Sequence, residues 1–365
     1  MSQLQLNNFV LKGEVDCDSI ELTIHGGQLV ALSGDINSGA ESILDVLFGE
    51  HLPKRGKIRY NGEPIPRSEK ALEQWRRKGV ILVSERLPML EWLTVQDNLL
   101  LALQIRGMNK RKALKKIDEA LCSDNLEPLA GDFPGSLNVQ QRSQILLWRA
   151  MLCQPQLLLI EQVLRDLPAE LRGRWYQRFE LLRRERQTIV VIFSSDLLEL
   201  CQQADYLLAF EYGDCVAHGE PQELMLRSDC VALHRLMARM NPLQVLTAEG
   251  LAIKPSLCLP SQVPPKEALR AMQSKQCSYA YLTKDKYLVG GLSLYQAHRA
   301  VQQKSQSLQN YLDLLPTIDA HVSLAEVFAK GPAKQRDLAV IDHNGYYLGQ
   351  LRYKQVILRL NALLT

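Results

Sequence analysis

Five short runs in the first 213 residues are apolar at nearly every position: LVALSG (29–34), GVILVS (79–84), LLLIE (157–161), TIVVIFSS (188–195) and YLLAFEYG (206–213). An alternating pattern would mark a strand with one wet face; continuous runs of this length mark strands buried on both faces. Helix-like stretches separate several of them, which predicts an α/β architecture with a parallel sheet. The stretch from Val95 to about Met151 is mainly helical in pattern and long enough for a helical subdomain.

The pattern changes near Leu251. After the helix-like VALHRLMARMNPL comes a proline-containing stretch, KPSLCLPSQVPPKEAL, which reads as a linker. Beyond it the chain repeats itself. YAYLTKDKYLVGGLSLYQA (279–297) aligns with LAVIDHNGYYLGQLRYKQV (338–356) at an offset of 59 residues. Ala280/Ala339, Tyr287/Tyr346, Gly290/Gly349, Leu292/Leu351 and Gln296/Gln355 coincide. Each copy reads strand, polar turn, strand, helix. Neither unit can bury its apolar face alone, so the two are expected to pack as a pseudo-symmetric pair. These changes divide the chain into residues 1–240 (with 95–151 helical), a linker at 241–265, and a repeat domain at 266–365.

Composition narrows the classes. With 46% hydrophobic and 23% charged residues, the 365-residue chain has the make-up of an ordinary globular protein of two or three domains. Its 43 basic and 40 acidic residues balance to +3, which gives no argument for a nucleic-acid partner. No apolar run approaches the roughly 18–20 residues that span a bilayer, and MSQLQLNNFV lacks the basic start and apolar core of a secretion signal. Membrane contact is therefore expected through another subunit. Eight cysteines without a C-x-x-C pair argue against a metal cluster or disulfide framework, and for thiols in a reducing cytosol.

Candidate chemistry begins at SGDINSGAES (33–42), between the first apolar run and the helix-like ILDVLF. Gly34 and Gly39 stand where a phosphate-binding loop has its glycines. Such a loop cradles phosphates on backbone N–H groups, reaches them with a lysine and helps hold Mg²⁺ with a hydroxyl. Here Ala40 takes the lysine position and Glu41 the hydroxyl position, with Ser42 after it. A cation is lost and an anion added. At an effective dielectric near 20, each charge ~4–5 Å from a phosphate is worth roughly 3–4 kcal/mol, more than the ~0.3–2 kcal/mol a helix dipole supplies. Ser38-x-x-Glu41 reads as a capping box. Either its carboxylate takes the electrostatic role of a phosphate, or it only stabilises an exposed first turn.

With the motifs that follow, the first part of the chain resembles the ATP-binding cassette (ABC) family of P-loop NTPases. SERLPMLEWLTVQDNLLL looks like the Q-loop and its helix, FPGSLNVQQRSQILLWRAML like the signature helix, and QPQLLLIEQVLRDL like Walker B and the D-loop. TIVVIFSSDLLELCQQADYLLAFEYGDCVAHGEPQEL looks like the switch segment and the end of the domain. The C-terminal repeat looks like a tandem CBS pair of α+β units. A cassette followed by such a pair is the layout of ATPase subunits in glycine betaine/proline importers. The resemblance implies an ATP-binding site between head-to-tail cassettes, each P-loop facing its partner's signature. It also implies a membrane permease as partner and a place at the cytoplasmic face of the cell membrane.

At almost every functional position this chain departs from that pattern. Leu137-Asn138-Val139-Gln140-Gln141 replaces L-S-G-G-Q. Val139 removes a glycine that lets backbone approach phosphate, and Asn138-x-x-Gln141 reads as a helix cap. Glu161 stands at the Walker B aspartate, the one residue left that could orient Mg²⁺. Gln162 takes the place of the catalytic glutamate and cannot accept a proton as general base. Ser195 replaces the switch histidine and Glu85 the Q-loop glutamine. Phe9 is the only nearby aromatic for stacking on adenine. The expected result is weak or absent Mg·ATP binding and no hydrolysis at a physiological rate.

Pairing with an active cassette would leave neither composite site whole, since this chain would bring a lost P-loop to one and a lost signature to the other. Homo- and hetero-dimers both stay open. In the repeat, Ser293-x-x-Gln296 and Arg352-x-x-Gln355 stand where CBS pairs that bind adenosyl ligands carry a Ser/Thr-x-x-Asp ribose motif; both lack the aspartate, which weakens the case for such a ligand. Lys304, Lys330, Lys334, Arg336, Arg352, Lys354 and Arg359 could serve an ionic-strength sensor at a membrane, or Arg352 and Lys354 a phosphate. The interspersed acids favour a solvated mixed surface. Three functions follow in order: a non-hydrolytic structural or regulatory subunit, an ATPase subunit with residual activity energising quaternary amine import, and a CBS sensor carried on an inactive cassette.

Overall fold

The computed structural model describes residues 2–10, 20–34, 39–211, 214–226, 241–329, 338–352 and 356–358. These divide into two compact units, one up to Leu224 and one from Asn241 onward.

The first unit contains two sheets. The smaller is antiparallel, in order β2-β1-β4-β5, formed by β1 (Gln3–Val10), β2 (Ile20–His25), β4 (Arg55–Tyr60) and β5 (Glu63–Pro64). The larger has order β10-β9-β3-β8-β7-β6, with β3 (Leu29–Gly34), β6 (Val80–Val83), β7 (Leu157–Glu161), β8 (Ile189–Phe193), β9 (Tyr206–Glu211) and β10 (Asp214–Gly219). All its pairings are parallel except β9 with β10. The five apolar runs are its five parallel strands, and β8 is buried at every residue. Helix α1 (Ala40–Phe48) packs on β3, β6, β7 and β8. Its Ile43, Leu44 and Leu47, on one face at helical spacing, join a core that also takes Leu4, Leu6 and Phe9 from β1. Phe9 is fully buried there. Phe9, the only nearby candidate to stack on adenine, is therefore not available for it: its ring is a core side chain.

Helix α2 (Glu69–Arg77) precedes β6. The helical stretch after β6 resolves into α3 (Val95–Ile105), α4 (Lys110–Ser123) and α5 (Val139–Leu152). Helices α6 (Ala169–Arg186) and α7 (Leu197–Gln203) follow, and α8 (Pro221–Leu226) runs across the end of this unit at Leu224. Among the described residues, no helix is long and apolar enough to cross a membrane.

The second unit holds two three-stranded sheets. One joins β11 (Cys258–Pro260), β12 (Tyr279–Lys284) and β13 (Tyr287–Ser293), with helices α9 (Pro265–Ser274) and α10 (Leu294–Gln302). The other joins β14 (Thr317–Asp319), β15 (Leu338–Ile341) and β16 (Tyr347–Leu351), with helix α11 (Leu324–Ala329). In both, the first strand pairs parallel to the second and the second antiparallel to the third. Each repeat thus begins earlier than its sequence match: β11 and β14, and the starts of α9 and α11, stand 59 residues apart like the later elements. Part of the expected linker at 241–265 is structured accordingly. β11 lies within it, and Ala248 and Glu249 donate backbone hydrogen bonds to Val322 and Ala320. The equivalent tyrosines Tyr287 and Tyr346 meet, ring centroids 5.0 Å apart, across a short antiparallel bridge. That self-pairing is what a pseudo-twofold arrangement of repeats produces.

Candidate nucleotide site

In a sheet of this kind, ligands bind beyond the carboxyl ends of the strands. Four strand ends deliver the candidate residues: Gly34 at the end of β3, Glu85 after β6, Glu161 at the end of β7, and Ser195 after β8. Asn37 and Ser38 lie outside the described residues. Gly39 is described, with φ 86°, a left-handed conformation suited to glycine, and it is the cap from which α1 starts at Ala40. This corrects the capping-box expectation. Because the cap is Gly39 and not Ser38, Glu41 is the second helical residue, one short of the position that reaches back. Glu41 is half-buried in the first turn, where an anion faces the positive end of the helix dipole. Ser42 donates its backbone N–H to Gly39 O at 3.0 Å.

A charge cluster at these strand ends is one the motif reading missed. Arg86 follows Glu85 in a tight turn. Buried Ser84 shapes that turn, its Oγ accepting Arg86 N–H at 3.0 Å and its carbonyl accepting Leu87 N–H at 3.1 Å. The guanidinium then reaches two carboxylates. Arg86 Nη2 donates to Asp45 Oδ1 at 2.7 Å and lies 2.8 Å from Glu161 Oε2; Nε donates to the same Glu161 oxygen at 2.9 Å. Both carboxylate side chains are largely buried, at 10% and 13% exposure, while Arg86 is half-exposed. The hydrogen bond to Asp45 leads in holding the Arg86 pKa above its ordinary value; desolvation opposes it, and Glu161 adds to the rise. The sequence did hold a signal for this cluster. Asp45 interrupts the apolar face ILDVLF, and a carboxylate at a buried helix position needs a cation.

Glu85 itself points elsewhere. Its carboxyl hydrogen-bonds Asp166 in the turn after β7, and that contact leads in pushing its pKa up, with burial and the Asp166 charge adding; Arg165 and Arg142 oppose them. Gln162 adopts a left-handed conformation (φ 54°) just past β7. Its N–H donates to Phe193 O at 2.9 Å, and its side-chain Oε1 accepts from Arg165 Nη1 at 2.8 Å. Ser195 is exposed. The neighbouring Asp196 caps α7, its Oδ1 accepting Glu199 N–H at 3.0 Å.

The signature-like segment lies at the start of α5. Asn138 Oδ1 accepts Gln141 N–H, and Gln141 Oε1 accepts Asn138 N–H, each at 2.9 Å, a complete capping box. The helix-cap reading of Asn138 and Gln141 therefore holds. Leu137 is buried and Gln140 exposed, and Val139 is 58% exposed on the first turn. The motif residues thus fall into two groups: Asp45, Glu85, Arg86, Glu161 and Gln162 around the ends of β6 and β7, and the closed cap at α5.

In the repeat unit, Ser293 and Gln296 form a second capping box, on α10, and Gln296 Nε2 donates to Asp313 Oδ1 at 2.7 Å. Buried Gln350 joins the repeats. With its amide nitrogen on the Tyr281 hydroxyl, its oxygen accepts from Arg352 Nε and Nη2 at 3.0 and 2.8 Å. Lys330, Lys334, Arg336, Lys354, Gln355 and Arg359 lie outside the described residues.

The ABC transporter family model matches residues 17–162. The glycine betaine/proline betaine transport system ATP-binding protein ProV of Escherichia coli (strain K12) is 24% identical over 333 residues, covering 90% of this chain and 83% of its own. The glycine betaine transport ATP-binding protein OpuAA of Bacillus subtilis (strain 168) is 23% identical over 331 residues, covering 90% and 79%. Among solved structures, the ATP-binding subunit of an ABC transporter aligns with TM-score 0.55 and 20% identity, over 64% of this chain and 98% of that one. A dimeric ATP-binding cassette in a post-hydrolysis state with ADP and phosphate aligns with TM-score 0.54 and 20% identity, over 60% and 98%. The first unit accordingly has the ABC cassette fold, residues 17–162 match the ABC transporter family, and most of the chain is similar to ATP-binding proteins of glycine betaine and proline betaine transport systems.

Proposed function

We propose that this chain is a non-hydrolytic cassette subunit, structural or regulatory, of a glycine betaine/proline-type importer. The observation that carries the reading is Gln162. At the position of the general base it offers an amide, whose oxygen already accepts from Arg165 at 2.8 Å. The surrounding residues support the same conclusion. Ala40 offers no cation to a phosphate, Glu41 offers an anion, and Glu161 already accepts from Arg86. At the signature, Val139 puts a branched side chain where close backbone approach needs glycine. These residues do not fit Mg·ATP.

What the cassette keeps is a scaffold. A groove of about 730 Å³ runs between the end of α1, α2 and α3, lined by Gly49, Glu50, Leu72, Arg76, Ile105 and Arg106. Ile105 is 55% exposed there. We read this groove as the seat of a permease segment, and the second unit as a CBS pair, supported by the two matching sheets and the Tyr287–Tyr346 contact. A solved cassette of this fold is dimeric, and a dimer on a membrane permease at the cytoplasmic face of the membrane is proposed for this chain.

The test is to isolate the full chain from detergent-solubilised membranes and assay what comes with it. An integral membrane permease should co-purify, with no Mg·ATP turnover. Turnover that disappears in Glu161→Ala or Gln162→Ala would instead establish a working ATPase subunit.

A further inference from the structure

In an oxygen-ligand site for Mg²⁺ the metal keeps near-octahedral geometry and most often one or two carboxylates from the protein. Asp45 and Glu161 are two such carboxylates, both largely buried and both facing one point. That point is filled by the chain itself. Nη2 of Arg86 touches an oxygen of each, at 2.7 and 2.8 Å, and Nε adds a second contact to Glu161 at 2.9 Å. The Ser84 turn aims the side chain, so the contact is built into the backbone. A guanidinium is always charged, planar and covalently tethered. It neutralises the pair without exchanging, and it occupies Glu161 Oε2, one of the two oxygens the carboxylate could offer a metal or metal-bound water.

We propose that Arg86 is a built-in counter-cation that takes the place of a divalent metal, excluding it from Glu161 and tying α1, the turn after β6 and the end of β7 into one block. The proposal rests on the reading of Glu161 as the metal-orienting position. Its test reads metal binding and stability rather than turnover, so it can fail while the absence of hydrolysis stands.

The full-length chain is titrated with Mn²⁺ alone and followed by electron paramagnetic resonance, with thermal unfolding in parallel. The wild-type chain should show no Mn²⁺ site that depends on Glu161. Arg86→Met should unfold at lower temperature and gain an Mn²⁺ site at least about tenfold tighter than any Mn²⁺ binding of the wild-type chain, since two facing carboxylates then need another cation. Glu161→Gln added to that variant should abolish the new site. Asp45→Asn added to it should recover much of the lost stability, which a plain surface arginine would not do. If Arg86→Met does not fold, Arg86→Lys serves: it keeps the charge without the fork, and should unfold below wild type while still excluding Mn²⁺. A wild-type Mn²⁺ site lost in Glu161→Gln would overturn the proposal. So would an Arg86→Met chain as stable as wild type, or one whose stability Asp45→Asn leaves unimproved.

Discussion

Glu85 and Asp166 place two carboxyl groups in hydrogen-bonding contact, and that contact is the first cause of the raised Glu85 pKa. The consequence for stability has a definite sign. A carboxyl whose pKa is higher folded than unfolded favours the fold fully below its ordinary value of 4.5. It loses that advantage as pH rises through the raised value. Glu85→Gln keeps a hydrogen-bond donor and removes the titration. The variant should flatten this part of the melting-temperature profile and be the more stable chain at neutral pH, as thermal unfolding across the acid range would measure. Phe9 makes the complementary point. It was the only nearby aromatic that could stack on a nucleotide, but it lies in the core, so Phe9→Ala should cost about 3–5 kcal/mol by denaturant unfolding. The candidate site was legible in the sequence where chemistry depends on residue type alone, as with Ala40, Glu41 and Gln162. It was not legible where it depends on meeting across the fold. Arg86 and Glu161 are 75 residues apart, and no local spacing announces their contact.

Two elements show how far local rules reach. The start of α5 follows from four consecutive residues: Asn138 and Gln141 satisfy each other's backbone N–H groups at 2.9 Å. Asn138→Ala should therefore cost about 1 kcal/mol, seen as a lower unfolding midpoint at an unchanged denaturant slope. The end of α4 follows no such rule. Asp124, with a side chain only 1% exposed, accepts from Trp148 Nε1 of α5 and Arg178 Nη2 of α6, each at 2.8 Å. Arg178 also lies over the rings of Trp148 and Trp175, 4.7 Å from each centroid. This cluster clamps the helical subdomain to a helix that packs on the sheet. Asp124→Ala leaves a partly buried arginine without its anion and should cost about 3 kcal/mol or more, measured by the same unfolding. The helices themselves were visible in the apolar spacing of 95–151; the clamp joining them was not, because its partners come from three separate helices.

At the scale of the whole chain, the continuous apolar runs identified all five parallel strands of the central sheet, since strands covered on both faces leave that mark. The antiparallel sheet carrying β1 was harder to read, because its strands alternate or are short. The 59-residue offset revealed the repeats but not where they begin. β11 and β14 are three residues each and differ in sequence, so only their parallel pairing identifies them. The second unit's polar groups at its repeat junction are engaged, Gln350 with Tyr281 and Arg352, and Gln296 with α10 and Asp313. In the first unit the positions that would meet a triphosphate are occupied by an alanine, a carboxylate and an arginine-held glutamate. The most direct test is calorimetric titration of the purified full-length chain with Mg·ATP. No heat of binding is expected at micromolar nucleotide, and no turnover during the titration; a micromolar dissociation constant accompanied by steady hydrolysis would contradict a non-hydrolytic cassette.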